Sequence, residues 1–352
     1  MAKSLHRFAL SLLTVPMLLA GCGSTGMLPA GTLAASQLSA YGHRTSENTL
    51  LVEPDMGVSP ILQAIDSAKK SVQLVTYMIT MDGDAAKIVQ ALVDRAKSGV
   101  PVQVLIEGRP YVPGPDGKPA PNPSIPAIKA LMAGGVRVSY ANPRFRFTHE
   151  KAMVIDNQVA YIMTCNFSNS AFNGNREYVL VDRTAADVSE VAHIFAADWL
   201  SKPITPKDPN LVESPDNSRG KLLNLINSAH KSLMIQFEYF EDPAIAEAVG
   251  ERVKAGVDVK VMLGAAYPGE VDTTSPEETQ LLNSNGITQI EFTKSVQMHA
   301  KAIIVDGARA FLGSENLTAN SLDNNREMGV IVTDPAIVQK MTQIAAHDWA
   351  AK

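Results

Sequence analysis

The sequence predicts an α/β protein made of two tandem α/β/α lobes, each with a mixed sheet. Patterns typical of helices alternate with short apolar runs typical of strands, and glycines often separate the two. His149-Glu150-Lys151 recurs as His299-Ala300-Lys301, an offset of 150 residues (299 − 149). A repeat of this length indicates two related units. Because the repeated residues are polar as well as apolar, we expect a pseudo-two-fold axis between the lobes and one site shared across it.

Local patterns define the elements of the first lobe, residues 47–202. Ser59 is a suitable N-cap with a proline directly after it, which predicts a helix from residue 60. Prolines and glycines crowd residues 109–124 and predict a loop, and Asp156-Asn157 between two apolar runs predicts a hairpin turn. In order, we expect helices at 60–70, 84–98, 125–133 and 185–200, and strands at 72–77, 100–106, 136–140, 152–155, 159–163 and 178–181.

The second lobe, residues 216–352, repeats this order after a linker. Residues 203–215 hold four prolines and many polar residues, which predicts a connection without regular structure. We then expect helices at 220–230, 243–255, 277–285 and 335–349, strands at 233–238, 257–263 and 287–292, a loop at 265–276 and the second motif block at 297–334.

The amino-terminal residues predict export and attachment to a lipid. Residues 1–21 combine two basic residues with an apolar run too short to span a bilayer, the pattern of a signal peptide. This run ends in Leu19-Ala20-Gly21-Cys22, which resembles the lipobox of bacterial lipoproteins and implies lipidation of Cys22 after cleavage. Residues 22–46 are rich in Gly, Ser, Ala and Thr and predict a flexible tether. We therefore expect an exported bacterial lipoprotein, anchored at the periplasmic face of a membrane or in the outer membrane.

The repeated polar residues are suited to a phosphate diester. Residues i and i+2 of an extended segment share one face, so the histidine and lysine of each motif point the same way. Ammonium groups bind anionic oxygens, and asparagine amides donate to them. One histidine can attack phosphorus while the other moves protons, and a glutamate can fix each tautomer. The lysines supply positive charge, so no metal or cofactor is predicted. The candidate set is His149, Lys151, Asn166, Glu177, His299, Lys301, Asn316 and Glu327.

The doubled His-x-Lys-x4-Asp motif resembles the phospholipase D superfamily. In both copies an asparagine lies 17 residues after the histidine (166 − 149; 316 − 299), where the family has Gly-Ser-x-Asn. The second copy reads Gly313-Ser314-Glu315-Asn316 and matches, whereas the first reads Met163-Thr164-Cys165-Asn166. The resemblance implies phospholipase D-like lobes with the active site between them. It also implies one histidine as nucleophile, the other as acid–base, and the lysines and asparagines as phosphate ligands. Which histidine attacks stays open.

Several neighbouring residues are expected to have other roles. Asp156 and Asp306 lie past a short strand from the lysines, so we expect them to support structure. Met163 is expected to crowd large substrates on its side, and Cys165 should face the core, because it alternates with Asn166. Tyr77 and Tyr239, which end the first strand of each lobe, are expected to pack in the core, with lining of the pocket as the alternative.

Four functions fit these observations, and a phospholipase D-type hydrolase that releases phosphatidic acid and a headgroup alcohol is our first hypothesis. Transfer of the phosphatidyl group, as in cardiolipin synthases of the superfamily, is the second, although those enzymes often carry transmembrane helices. A metal-independent nuclease is the third; the net charge of −5 disfavours nucleic acid without excluding it. A binding module without catalysis is the fourth. We expect a monomer that meets phospholipid at a membrane surface.

Overall fold

A computed structural model describes residues 47–112, 118–265, 276–293 and 296–351. The predicted signal peptide, Cys22 and the tether lie outside the described residues. So do residues 113–117 of the first predicted loop and residues 266–275 of the second.

Strands and helices alternate along both lobes. The strands are β1 (Thr49–Glu53), β2 (Val72–Thr76), β3 (Val102–Ile106), β4 (Arg137–Tyr140), β5 (Ala152–Ile155), β6 (Val159–Met163), β7 (Asn175–Asp182), β8 (Leu211–Ser214), β9 (Ser232–Phe237), β10 (Asp258–Leu263), β11 (Ile290–Phe292), β12 (Gln297–Met298), β13 (Ala302–Val305), β14 (Arg309–Gly313) and β15 (Glu327–Val332). The helices are α1 (Ser59–Ser67), α2 (Gly83–Lys97), α3 (Ile125–Ala133), α4 (Asn169–Asn173), α5 (Ala185–Trp199), α6 (Ser218–Asn227), α7 (Pro243–Lys254), α8 (Pro276–Ser284), α9 (Ala319–Asp323) and α10 (Pro335–Ala350).

Each lobe has its own mixed sheet, as the sequence predicts. The first sheet has the order β1-β7-β6-β5-β2-β3-β4, and the second the order β11-β10-β9-β13-β14-β15-β8. In each, the three strands joined through helices run parallel, and the strands around the repeated motif are antiparallel. The predicted α/β fold class is confirmed.

Two edge strands differ from the prediction. Leu211–Ser214, placed in the linker at 203–215, forms β8 and pairs antiparallel with β15. Thr49–Glu53, to which no element was assigned, forms β1 and pairs with β7. Both segments are short and directly precede a proline. Pairing with a buried neighbour strand decides their structure.

Three hydrophobic cores hold the lobes together. Helices α1–α4 pack on the outer face of the first sheet and α6–α9 on the outer face of the second. The third core lies between the lobes, where apolar residues of α5 and α10 meet the inner faces of both sheets. Burial of this apolar surface from both halves joins them into one body.

Two short pairings also connect the lobes next to the repeated motif. Gln297 of β12 pairs in parallel with Asn175 of β7, and Thr148 forms a parallel bridge with Arg326. Each lobe therefore places its motif histidine beside the strand of the other lobe that carries the repeated glutamate.

Within the described part of the chain, no helix is both long and apolar enough to cross a membrane.

Candidate active site

Both copies of the motif open onto one cleft between the lobes, with a volume of about 620 Å³. Its wall includes both motif histidines, both asparagines and Glu327. Polar side chains from the segments that directly follow β2, β6, β9 and β14 complete it. Clefts of this size with convergent polar groups are typical of small-molecule sites.

Each histidine is held by a glutamate of the other lobe. Nδ1 of His149 donates to Glu327, 2.9 Å from Oε2. Nδ1 of His299 lies 2.7 Å from Oε1 of Glu177. The sequence predicts both glutamates but not this exchange of partners. A carboxylate on Nδ1 fixes the tautomer and orientation of the ring, which leaves Nε2 available to a substrate.

The exchange follows from the pairings between lobes. The backbone N–H of His149 donates to the carbonyl of Arg326 at 2.8 Å, one residue before Glu327. In the other half, the pairing of Met298 with Arg176 places His299 beside Glu177 in the same way. The polypeptide backbone, rather than a flexible side chain, therefore sets which carboxylate reaches which histidine.

Both glutamates are buried and held by further donors. Glu327 accepts from the hydroxyl of Ser321 at 2.7 Å and the amide of Asn325 at 2.9 Å, and Glu177 accepts from the hydroxyl of Thr164 at 2.5 Å. Burial alone would raise their pKa values, but the facing histidines and these donors hold the pKa of each carboxyl below its ordinary value. Both are therefore negatively charged at neutral pH.

The lysines are fully buried beneath the histidines. Lys151 donates to the carbonyl oxygen of His149 at 2.6 Å, and Lys301 to that of His299 at 2.7 Å. Burial lowers the pKa of Lys151 to about 8. Burial also lowers the pKa of His149 below its ordinary value, although Glu327 opposes that shift. A neutral His149 beside a charged Lys151 is the state suited to attack on an anion.

The asparagines complete the predicted set. Asn166 and Asn316 line the cleft, and the side-chain oxygen of each is buried without a hydrogen-bond partner in the described chain. An amide can turn by half a rotation to present its nitrogen instead. Each asparagine can therefore donate to a substrate oxygen at the floor of the cleft.

Asp156 and Asp306 point away from the cleft and bind backbone. Asp156 accepts from the N–H groups of Lys69, Lys70 and Ser71, the shortest at 2.6 Å. Asp306 accepts from the equivalent three N–H groups of residues 230–232. These contacts fix the turn that leads into β2 in the first lobe and into β9 in the second.

Met163 does not crowd the cleft, so that expectation is wrong. Its side chain is buried in the outer core of the first lobe, as is Cys165. At the equivalent place in the second lobe, a Cβ on Gly313 would lie 2.4 Å from the carboxylate of Glu315. The first half therefore has a methionine and a cysteine where the second half has a glycine and a glutamate. These positions lie on the core side, away from the cleft. Ser314 and Thr164 keep the same role, since each hydroxyl accepts a backbone N–H of the next strand.

The sequence reasoning missed Glu238 and misjudged two tyrosines. Tyr77 and Tyr239 both line the cleft, so the alternative expectation for them is the correct one. Glu238 also lines it and accepts from Lys301 at 2.8 Å. The sequence feature that could have identified Glu238 as a cleft residue was its position at the end of a predicted strand, beside Tyr239. The motif offset of 150 residues does not hold at that strand, so the repeat gave no reason to single it out.

Comparison with known proteins gives the family. The family described as "Cardiolipin synthase, PLD-like domain" matches residues 61–199 and 222–349, which is most of the chain. The chain belongs to this phospholipase D-like family. The two matched segments correspond to the two lobes that share the cleft.

Relatives within the family are cardiolipin synthases. That of Clostridium perfringens (strain SM101 / Type A) is 27% identical over 335 residues, which cover 80% of this chain and 66% of that protein. Cardiolipin synthase A of Proteus mirabilis (strain HI4320) is 22% identical over 361 residues, which cover 92% of this chain and 73% of that protein. The chain thus spans about two thirds of the length of the clostridial relative.

Solved structures share the fold. Phosphatidylserine synthase of Haemophilus influenzae Rd KW20 gives a TM-score of 0.70 at 11% identity, with 92% of this chain and 91% of that chain covered. Polyphosphate kinase of Porphyromonas gingivalis gives 0.65 at 15% identity, with 91% and 50% covered. At these identities the likeness concerns the fold alone.

Proposed function

We propose that the protein is a phosphatidyl transferase of the cardiolipin synthase kind. It would move a phosphatidyl group from one glycerophospholipid to a hydroxyl group of a second molecule. The observation that carries this proposal is the pair of histidines in one cleft, each with Nδ1 engaged by a carboxylate of the opposite lobe. The names of the relatives favour transfer over the hydrolysis that we first expected.

The first half of the reaction would form a covalent intermediate. Nε2 of one histidine attacks phosphorus while the other histidine protonates the departing alcohol. Lys151, Lys301 and the two asparagines would bind the non-bridging oxygens, where negative charge develops. The carboxylate on Nδ1 stabilises the positive charge that the attacking imidazole acquires.

The second half decides the type of product. The acid–base histidine, now neutral, removes a proton from the incoming hydroxyl. The oxygen of that hydroxyl then attacks phosphorus and displaces the other histidine, which formed the covalent intermediate. Water at this step gives phosphatidic acid, and the glycerol hydroxyl of a second phosphatidylglycerol gives cardiolipin. The same residues serve both outcomes, so product analysis is the decisive measurement.

The test uses the purified protein with phosphatidylglycerol vesicles in a chelator-containing buffer. We expect cardiolipin and free glycerol, with loss of both in His149→Ala and His299→Ala. His347→Ala, at an exposed position on α10, is the matched control and should keep the activity. Phosphatidic acid without cardiolipin would instead support the hydrolase. Failure on phosphatidylglycerol and phosphatidylethanolamine, together with degradation of plasmid DNA, would support the nuclease.

We also propose that the protein works at a membrane surface, attached through a lipid on Cys22. The support is the lipobox-like sequence, since Cys22 lies outside the described residues. Expression of the full chain with a labelled fatty acid should label the wild type and leave Cys22→Ala unlabelled and soluble after cell fractionation. Separation of inner and outer membranes then locates the protein. An unlabelled wild type would contradict the anchor without affecting the proposed chemistry.

A further inference from the structure

The two halves of the cleft differ at one equivalent position. Val75 pairs with Ala152 in the first sheet, and Gln236 pairs with Ala302 in the second. Ala152 and Ala302 occupy the same place in the repeat (302 − 152 = 150), so the strands align Val75 with Gln236. Two residues further along each strand, Tyr77 is therefore the counterpart of Glu238, and a phenol faces one motif where a carboxylate faces the other.

Glu238 contacts three groups of the second motif. Its Oε2 accepts from Lys301 Nζ at 2.8 Å and from the amide of Asn316 at 3.4 Å, and it lies 3.4 Å from Nε2 of His299. Burial alone would raise the pKa of Glu238, but His299 and Lys301 hold it below its ordinary value. The carboxylate is therefore charged beside the ring atom that faces the reaction.

Tyr77 gives the first motif a different environment. Its ring meets the ring of His149 edge-on, with centroids 4.7 Å apart, and the ammonium of Lys151 lies 5.6 Å from its centre. Its hydroxyl is engaged by the backbone of Tyr111. Among the described residues, no carboxylate lies within ion-pair distance of Lys151. His149 thus lies against an aromatic ring at the position where His299 has a second carboxylate.

These contacts give the two histidines different surroundings. Both ring nitrogens of His299 face a carboxylate, Glu177 at 2.7 Å and Glu238 at 3.4 Å, so each can donate a hydrogen bond to an acceptor. Lys301 lies 3.3 Å from Nδ1 of His299 and donates to Glu238. Among the described residues, His149 has a carboxylate at Nδ1 alone, and burial lowers its pKa, which favours the neutral ring.

We propose that Glu238 is a positioning residue that assigns the roles of the two histidines. By its contact with Nε2 it orients His299 as the proton donor, and His149, whose neighbour at the equivalent position is Tyr77, is left as the nucleophile. This inference rests on the proposed phosphatidyl transfer for its natural substrate. At 3.4 Å the contact is longer than a strong N–H···O bond, so an oxygen of the substrate at ~2.9 Å can replace it.

The lone pair on Nε2 of His149 forms the N–P bond, the P–O bond to the alcohol breaks, and the proton on Nε2 of His299 moves to the departing oxygen. In the second step neutral His299 takes the proton of the incoming hydroxyl, the new O–P bond forms, and the N–P electron pair returns to His149. Glu238 gains and loses no proton.

The experiment compares leaving groups in Glu238→Gln. Phosphatidylglycerol releases a glycerol oxygen that needs a proton, whereas the p-nitrophenyl ester of phosphatidic acid releases an acidic phenol that needs none. We expect kcat to fall by about 10²-fold or more on phosphatidylglycerol and by less than about threefold on the p-nitrophenyl ester. Glu241→Gln removes a second carboxylate of the cleft that makes no ion pair with either histidine in the described chain. That variant should change both rates in equal proportion.

Three results would overturn the assignment. Equal losses of kcat on both substrates in Glu238→Gln would show a merely structural role. A lower KM with unchanged kcat would show that Glu238 only competes with the substrate anion. Mass-spectrometric mapping of the adduct formed from bis(p-nitrophenyl) phosphate should find it on His149, and an adduct on His299 would contradict the proposal. Because that diester contains no lipid, the mapping still tests the assignment if the protein proves inactive on phospholipids.

Discussion

Each motif histidine depends on a carboxylate that the other lobe carries. His149 is bound by Glu327 and His299 by Glu177. Neither half therefore supplies the carboxylate at Nδ1 of its own histidine, even though each carries every residue of the repeated set. The equal spacing of the repeat predicts the members of the site, but a linear spacing cannot say which members meet across an interface.

Replacement of Glu327 by glutamine tests this exchange. Glutamine can present its amide nitrogen to Nδ1 of His149, which would favour the wrong tautomer, and it cannot stabilise the charged ring. We expect kcat to fall roughly 10²–10⁴-fold and adduct formation on His149, in the opposite lobe, to slow equally. Glu251→Gln, an exposed glutamate of α7, is the control and should match the wild type. Slowed adduct formation on His299 alone would contradict the crossed pairing.

Lys151 and His149 make activity depend on pH in a defined way. Burial lowers the pKa of Lys151 to about 8, so its ammonium is lost as the pH rises through that value. We expect KM for an anionic diester to increase above pH ~8. Burial also lowers the pKa of His149 from its ordinary value of 6.5, so the neutral ring persists below that pH. The acid limb of kcat/KM should then lie below pH 6.5. Measurement of both constants between pH 4 and 10 checks this, and a constant KM up to pH 10 would argue against it.

Much of the site could be predicted from the residues, and the rest depends on register. The histidines, lysines, asparagines and glutamates follow one offset and were found for that reason. Glu238 was missed because the path from β2 to the first motif is longer than the path from β9 to the second. Its counterpart, Tyr77, is therefore 161 residues away rather than 150 (238 − 77). Only the pairing of β2 with β5 and of β9 with β13 aligns them. Met163 was misjudged because the face of a strand that a residue occupies depends on where the pairing begins.

At the scale of the elements, a motif aspartate holds the turn before β2 in the first lobe and the turn before β9 in the second. Asp156 accepts from three consecutive N–H groups, and its own φ of 57° places it in the left-handed turn between β5 and β6. It therefore ties the β5–β6 hairpin to the end of α1. Asp156, the last residue of the first motif, thus connects the hairpin to the helix and does not line the cleft.

Asp156→Asn should destabilise the protein without changing the chemistry. Loss of the charge weakens three bonds to backbone donors, so we expect the free energy of unfolding to fall by about 2–3 kcal/mol, with little change in KM. The pKa of Asp156 is lowered in the folded protein, although burial opposes this, so its contribution is present above the unfolded pKa and is lost as the pH falls through the folded value. The difference in Tm from the wild type should accordingly shrink below pH ~4.

Asp94→Asn, at an exposed position on α2, is the control for this measurement and should leave Tm unchanged. A loss of activity in Asp156→Asn at a temperature where it is fully folded would contradict the structural role. The strands β1 and β8 also depend on their neighbours. The segment of β8 was predicted as part of a linker and no element was predicted for that of β1, and pairing with β15 and β7 forms both strands.

In the whole molecule, buried ion pairs cross the interface beside the shared core. Arg176 of the first lobe donates to Asp348 on α10 at 2.8 Å, and Arg326 of the second donates to Asp198 on α5 at 2.7 Å. These arginines are direct neighbours of the glutamates that cross to the histidines. The interface that completes the site is therefore the one that stabilises the fold, and we expect the lobes to unfold together.

Arg326→Met tests whether stability and the site are coupled in this way. Removal of the guanidinium leaves Asp198 and Glu213 buried without their cation, so we expect a loss of about 3–5 kcal/mol in the free energy of unfolding. Calorimetry should show one transition in both the wild type and the variant, with calorimetric and van't Hoff enthalpies equal, because both lobes contribute to the central core. Arg183→Met, at an exposed position, should change stability by less than about 0.5 kcal/mol. Two separate transitions in the wild type would mean that each lobe is stable alone and that the shared core contributes little.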